Sequence, residues 1–132
     1  MFRVAITGIG IISCLGNDSA TVAEALRSGR SGIGIDEKRR TLGFRSPLTG
    51  VIRDFSPPDS LSRKQRKTMP DFAIQSYAAV KDALHASGLG PEEIQNRESG
   101  LIFGCDSSCI AAVEQVELLR RHGATTSIGS GL

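Results

Sequence analysis

The sequence contains no tryptophan, one tyrosine and five phenylalanines, so aromatic residues make up only 5% of its 132 positions. A core built from it must be aliphatic and alanine-packed. No apolar run approaches the roughly 20 residues of a membrane-spanning helix, which excludes that class and gives no reason to expect a membrane partner. The N-terminus carries one arginine and a short apolar stretch broken by Gly8 and Gly10. It lacks the continuous apolar segment of a secretory signal, so the cytoplasm is the expected compartment. Cysteine is scarce and odd in number, at three, which fits reduced thiols better than a disulfide framework. An excess of one charge is missing too: sixteen basic against fourteen acidic residues leave +2. That balance excludes a general nucleic-acid binder.

What is present alternates between strand-like and helix-like segments. The length is that of one domain. Phe2 to Thr7 is a β-branched run suited to a buried strand. Asp18 or Ser19 can cap a helix running to about Ser28, with Val22, Ala25 and Leu26 inward and Gly29 as its stop. Arg30 to Ser46 reads as a surface loop, and Leu48 to Arg53 as a short strand ended by Pro57-Pro58. Pro70 and Asp71 open the strongest helix, with Ala73, Tyr77, Val80 and Leu84 on one face and Gly88 at its end. Its small, apolar stripe reads as core, not as a partner-binding face. Gly90 to Ile94 reads as a loop with a helical turn.

Gly100 to Gly104 is a second buried-strand candidate, and a last helix covers Ser108 to His122 with Ile110, Val113 and Val116 inward. Alternation of this kind implies an α/β layered fold with a largely parallel sheet. Two or three strands are fewer than such a sheet usually needs, so the remainder is expected from elsewhere.

The opening, Arg3-Val4-Ala5-Ile6-Thr7-Gly8-Ile9-Gly10-Ile11-Ile12-Ser13-Cys14-Leu15-Gly16-Asn17, resembles the start of the β-ketoacyl-acyl carrier protein synthases, the thiolase-fold condensing enzymes. Further segments match in order. Leu26 to Ile33 resembles the family's L-x-x-G-x-S-G-I. Gly43-Phe44-Arg45-Ser46 with Gly50 resembles a loop of the type I elongation synthases. Ser62-Arg63-Lys64 with Met69 resembles their basic segment and long helix. Ala86-Ser87-Gly88-Leu89 and Gly100 to Gly104 fit A-x-x-G-L and V-G-x-I-x-G. Each motif is weak alone; together and in register they are specific. The resemblance spans nearly the whole chain and only the first third of a typical member. Residues 1–132 are thus expected to be an incomplete N-terminal part of the synthase N-terminal domain. The implied fold is a partial thiolase-like α/β fold, from the first of two duplicated halves.

The resemblance implies decarboxylative Claisen condensation in fatty acid or polyketide synthesis. A cysteine thiolate takes an acyl group from an acyl carrier protein. Malonyl-carrier decarboxylation then supplies a carbanion equivalent that attacks the acyl thioester. The implied enzyme is a homodimer needing no metal or organic cofactor beyond the phosphopantetheine arm of the carrier protein. In the family the nucleophile sits in a small-residue Ala-Cys turn and one histidine before Gly-Thr. Cys14, Cys105, Cys109, His85 and His122 have neither context. No catalytic residue is therefore assigned in this chain, and it is expected to be inactive alone.

Arg63 to Lys67 is basic at four of five positions. Such a run is usually a solvated face. In the family, basic residues here dock the acidic helix of the carrier protein, a role that maps onto Lys64, Lys67 and Arg66, with Arg63 structural. Cys105, Asp106, Ser107, Ser108 and Cys109 stand where relatives have a glycine-rich loop near the acyl tunnel and dimer interface. The expectation is a reshaped acyl pocket or interface, against a purely structural loop. As a metal site, this one cysteine pair with no neighbouring histidine is poor. Gly8-x-Gly10 after a strand invites a dinucleotide reading, which fails because Ser13 replaces the third glycine and Ile11-Ile12 opens no helix. The alternative to a synthase fragment is a non-catalytic, synthase-like protein that binds carrier protein or a partner synthase.

Overall fold

The computed structural model describes residues 3–105 and 109–124. Its elements are α1 (Ser19–Arg27), β1 (Ile33–Ile35), α2 (Glu37–Thr41), β2 (Leu48–Gly50), α3 (Arg63–Arg66), α4 (Asp71–Ser87), α5 (Pro91–Ile94) and α6 (Cys109–His122). The helix expectations hold to within a residue or two. Helix α1 starts after Asp18, α4 starts after Pro70, and glycines in the left-handed region follow each (Gly29 at φ 65°, Gly88 at φ 69°). No helix among the described residues is long and apolar enough to cross a membrane.

The sheet differs from expectation. Among the described residues it is a two-stranded antiparallel pair, Ile33 opposite Gly50 and Ile35 opposite Leu48. Residues 30–46 are therefore not a plain loop. Asp36 caps α2 by accepting from the Lys38 and Arg39 amides, and Arg39 stacks 4.5 Å over the Phe44 ring. The expected strands at 2–7 and 100–104 form no ladder over their described residues. Val4, Ile6, Leu101 and Ile102 are all exposed, Ile102 by 95%. Strands buried on both faces need neighbours on both edges, and no described segment supplies them.

Helix α4 organises what core there is. Ile74 and Ala78 are buried, with Val22 and Ala25 of α1 and Leu61 of the intervening segment. The inward stripe expected of α4 was Ala73, Tyr77, Val80 and Leu84. Instead Tyr77 and Leu84 are exposed, while Ala73, Tyr77 and Val80 face an open apolar cleft. The stripe is apolar as read, but what would cover it is not among the described residues. Leu26, Val113 and Val116 are likewise exposed rather than inward. The side chain of Ile110 lies outside the described set, as do Met1 and Phe2.

The opening segment crosses α4 at backbone-contact distance. A Cβ at Gly10 would overlap the Ala79 carbonyl oxygen and lie 2.9 Å from the Ala83 nitrogen; one at Gly8 would overlap the Ala83 carbonyl oxygen. The pair forms no turn; its glycines permit close approach instead, because no larger residue lets the strand-like segment lie on the helix. Gly10→Ala is expected to cost about 1–3 kcal/mol of stability in urea unfolding of the full polypeptide. Because the obstacle is backbone, truncating the neighbour by Ala79→Gly should not restore it.

The Asp18 carboxylate accepts from the Thr21 amide and from the Thr21 hydroxyl, each at 2.7 Å. These bonds, the backbone one foremost, hold its carboxyl below the ordinary carboxylate value. A depressed folded-state value stabilises fully above the unfolded value, and the gain is lost as pH falls through the lowered one. Asp18→Asn keeps a capping acceptor without the charge. In a thermal-unfolding series run from neutral pH into acid, its deficit against the parent should shrink as pH drops; a constant deficit would contradict the account.

Candidate functional site

The basic segment forms a short helix, α3. Ser62 and Gln65 make a capping box: Gln65 Oε1 accepts from the Ser62 amide at 3.0 Å, and Ser62 Oγ accepts from the Gln65 amide at 3.3 Å. The S-x-x-Q spacing was the signal in the sequence that could have located this turn. Lys67 closes it, its amide donating to the Arg63 carbonyl at 3.2 Å.

The predicted docking residues are therefore together on one turn. Lys64 and Lys67 are exposed, and so is Arg63, which the sequence had reserved for structure. Arg66 is half-buried, with its Nε buried and unpartnered. None of the ion pairs among the described residues involves this turn; all join residues three or four apart on α1, α2 or α6. The first turn of α3 holds no acidic residue, whereas the first turns of α2 and α5 carry glutamate. Its charge is thus neither neutralised nor placed where a helix start favours it.

The second predicted group is only partly described. Cys105 is an exposed free thiol at the end of the 101–105 segment. It lines a cleft of about 450 Å³ with Phe72, Tyr77, Val80, Leu101 and Phe103. Asp106, Ser107 and Ser108 lie outside the described residues, as does the Cys109 side chain. Of this group, Cys105 is the residue the structure places at the apolar cleft.

Cys14 is half-buried and hemmed in by glycines. A Cβ at Gly32 would lie 2.6 Å from its Sγ, and one at Gly50 2.9 Å. Its thiol is packing between the opening loop and the β1–β2 pair. That loop is itself stitched shut. Ser13 and Gly16 exchange backbone hydrogen bonds at 2.9 and 3.2 Å, and Asn17 Nδ2 donates to the Arg53 carbonyl at 2.7 Å. Arg30 donates to the Leu15 carbonyl at 3.1 Å. Sequence reasoning also missed a cluster of Ser60, Tyr77 and Lys81, far apart in the chain and joined only by the fold.

Comparison with known proteins bears on the whole arrangement. The sequence model of the family described as "Beta-ketoacyl synthase, N-terminal domain" matches residues 1–130. A 3-oxoacyl-acyl-carrier-protein synthase 1 of Haemophilus influenzae is 34% identical over 104 residues, covering 79% of this chain and 25% of that protein. The Escherichia coli (strain K12) protein of the same name is 36% identical over 105 residues, covering 79% and 26%. The crystal structure of a beta-ketoacyl synthase from Burkholderia phymatum superposes with a TM-score of 0.78 at 25% identity, covering 99% of this chain and 33% of that one. The chain thus spans about a quarter of the length of these curated relatives. Residues on the opening turn, α1, the hairpin and α4 that looked unfinished by themselves are part of a thiolase-like α/β fold, and the chain belongs to the β-ketoacyl synthase family, matching its N-terminal domain.

Proposed function

We propose that the protein carrying this segment is a 3-oxoacyl-acyl carrier protein synthase, catalysing decarboxylative condensation in fatty acid or polyketide synthesis as a cytoplasmic homodimer. The supporting observation is the family match over residues 1–130, with relatives that bear that name. Residues 1–132 would be an incomplete part of the N-terminal domain, supplying the opening turn, α1 and α4. The nucleophilic cysteine and the histidines would lie in residues not present here. The chemistry runs in three steps. The acyl group passes to the cysteine thiolate with release of the carrier thiol. Malonyl-carrier then loses CO2, and its carbanion attacks the acyl thioester. The 3-oxoacyl-carrier leaves, and the thiolate is regenerated. No metal or organic group other than the carrier's phosphopantetheine arm enters these steps.

The described residues contribute recognition instead of chemistry on this reading. Lys64 and Lys67, with Arg66 behind them, would receive the acidic face of an acyl carrier protein. Unpaired exposed charge on an ordered turn is suited to steering such a partner. Cys105 to Cys109 would border the acyl pocket or the dimer interface; Cys105 lines the apolar cleft.

Condensation of an acyl-carrier with malonyl-carrier, followed as 3-oxoacyl product, tests the first part. The full polypeptide should turn over and residues 1–132 alone should not; turnover by the short chain would overturn the assignment of its chemistry. For docking, Lys64→Ala and Lys67→Ala should each weaken carrier-protein binding by about two- to fivefold at low salt, as single exposed charges do. The loss should fade as ionic strength rises. Equal affinities at low salt would remove α3 from the docking surface.

A further inference from the structure

Ser60, Tyr77 and Lys81 meet on the outer side of α4. Tyr77 and Lys81 are four residues apart, one turn above the other. Ser60 Oγ lies 3.2 Å from Tyr77 Oη and accepts a hydrogen bond from Lys81 Nζ at 3.2 Å. The next residue, Leu61, is buried, and its amide donates to the Pro58 carbonyl at 2.9 Å. The one after, Ser62, closes the capping box of α3. Three consecutive residues thus fix the entry to α3 by three different means: hydrogen bonds to α4, burial, and a cap. A helix of four residues is far too short to hold itself in water. Its direction is inherited from what precedes it.

We propose that Ser60, Tyr77 and Lys81 form a positioning tether that sets the orientation in which the basic turn meets an acidic carrier protein. The proposal rests on the docking reading above. The three residues are exposed among the described residues, and their contacts with one another are polar. The cluster restrains a turn that would otherwise have to be ordered during binding, a cost that lowers affinity when it falls at that moment. Steering depends chiefly on the number and sign of charges, whereas the lifetime of a complex depends on how well the docked groups fit. A tether should therefore act on dissociation and leave long-range attraction alone.

Ser60→Ala and Tyr77→Phe separate these effects, because neither changes charge and the second keeps the ring that lines the cleft. The probe is a holo-acyl carrier protein binding the full polypeptide, with rate constants measured across a range of salt. Each variant should dissociate about three- to tenfold faster, the scale of one lost hydrogen bond. The dependence of association rate on ionic strength should be unchanged. Amides of Gln65, Arg66 and Lys67 should exchange faster in the free protein, with the global unfolding midpoint unmoved. Lys81→Arg retains a donor and the charge and should keep the parental dissociation rate. Lys64→Ala is the reference, expected to slow association and flatten its salt dependence. If Lys64→Ala does so while Ser60→Ala and Tyr77→Phe match the parent in dissociation and exchange, the tether is refuted and docking stands. If Lys64→Ala changes nothing, docking fails and the tether falls with it.

Discussion

The contact of the Gly8–Gly10 backbone with the carbonyl side of α4 is the constraint on which the arrangement turns. A strand-like segment can lie this close to a helix only where it carries no side chain itself, and the two glycines meet the backbone of Ala79 and Ala83 there. That approach fixes the opening segment, and with it the Ser13–Gly16 turn and the cap of α1 that follow directly. The side of α4 lined by Ala73, Tyr77 and Val80 is left facing the 101–105 segment across the apolar cleft. Helix α4 therefore serves several surfaces at once, which explains why it is long, rich in alanine and only partly buried.

Much of this was legible in the sequence where the signal is local. Asp18 before α1, Pro70 before α4, and Gly29 and Gly88 after them are decided within a few residues, so their boundaries could be read directly. The hairpin could not, since pairing Ile33–Ile35 with Leu48–Gly50 depends on a partner more than a dozen residues away. The face of α4 failed for a related reason. Its helical period shows which residues are apolar, but both Ile74 and Tyr77 qualify, and only the surroundings decide which is covered. The strand-like runs at 2–7 and 100–104 have the composition of buried strands without neighbours to make them so. Composition reports the environment a segment is suited to, and pairing requires that environment to be present.

The candidate site divides the same way. Lys64, Arg66 and Lys67 are close in sequence, so their gathering on one turn was readable, and the capping-box spacing in front of them could have added its helical form. The Ser60–Tyr77–Lys81 cluster joins positions 17 and 21 residues apart, and neither charge pattern nor motif marks it. Family resemblance does not help with such a feature, because it transfers motifs and not the particular side chains that support them. A cluster of neighbouring charges can thus be read from sequence more readily than contacts between distant positions.

Cys14 carries a consequence of another kind. Its sulfur is enclosed by Gly32, just before β1, and Gly50, the last residue of β2, so these three positions share a single small volume. A larger side chain at any one of them must be accommodated by moving the hairpin away from the opening loop. The tilt of that hairpin in other family members then becomes a gauge of how much bulk their opening loop carries. Its displacement would pass from the end of β2 through residues 51–53 to Arg53, whose carbonyl holds Asn17, and so reach the start of α1.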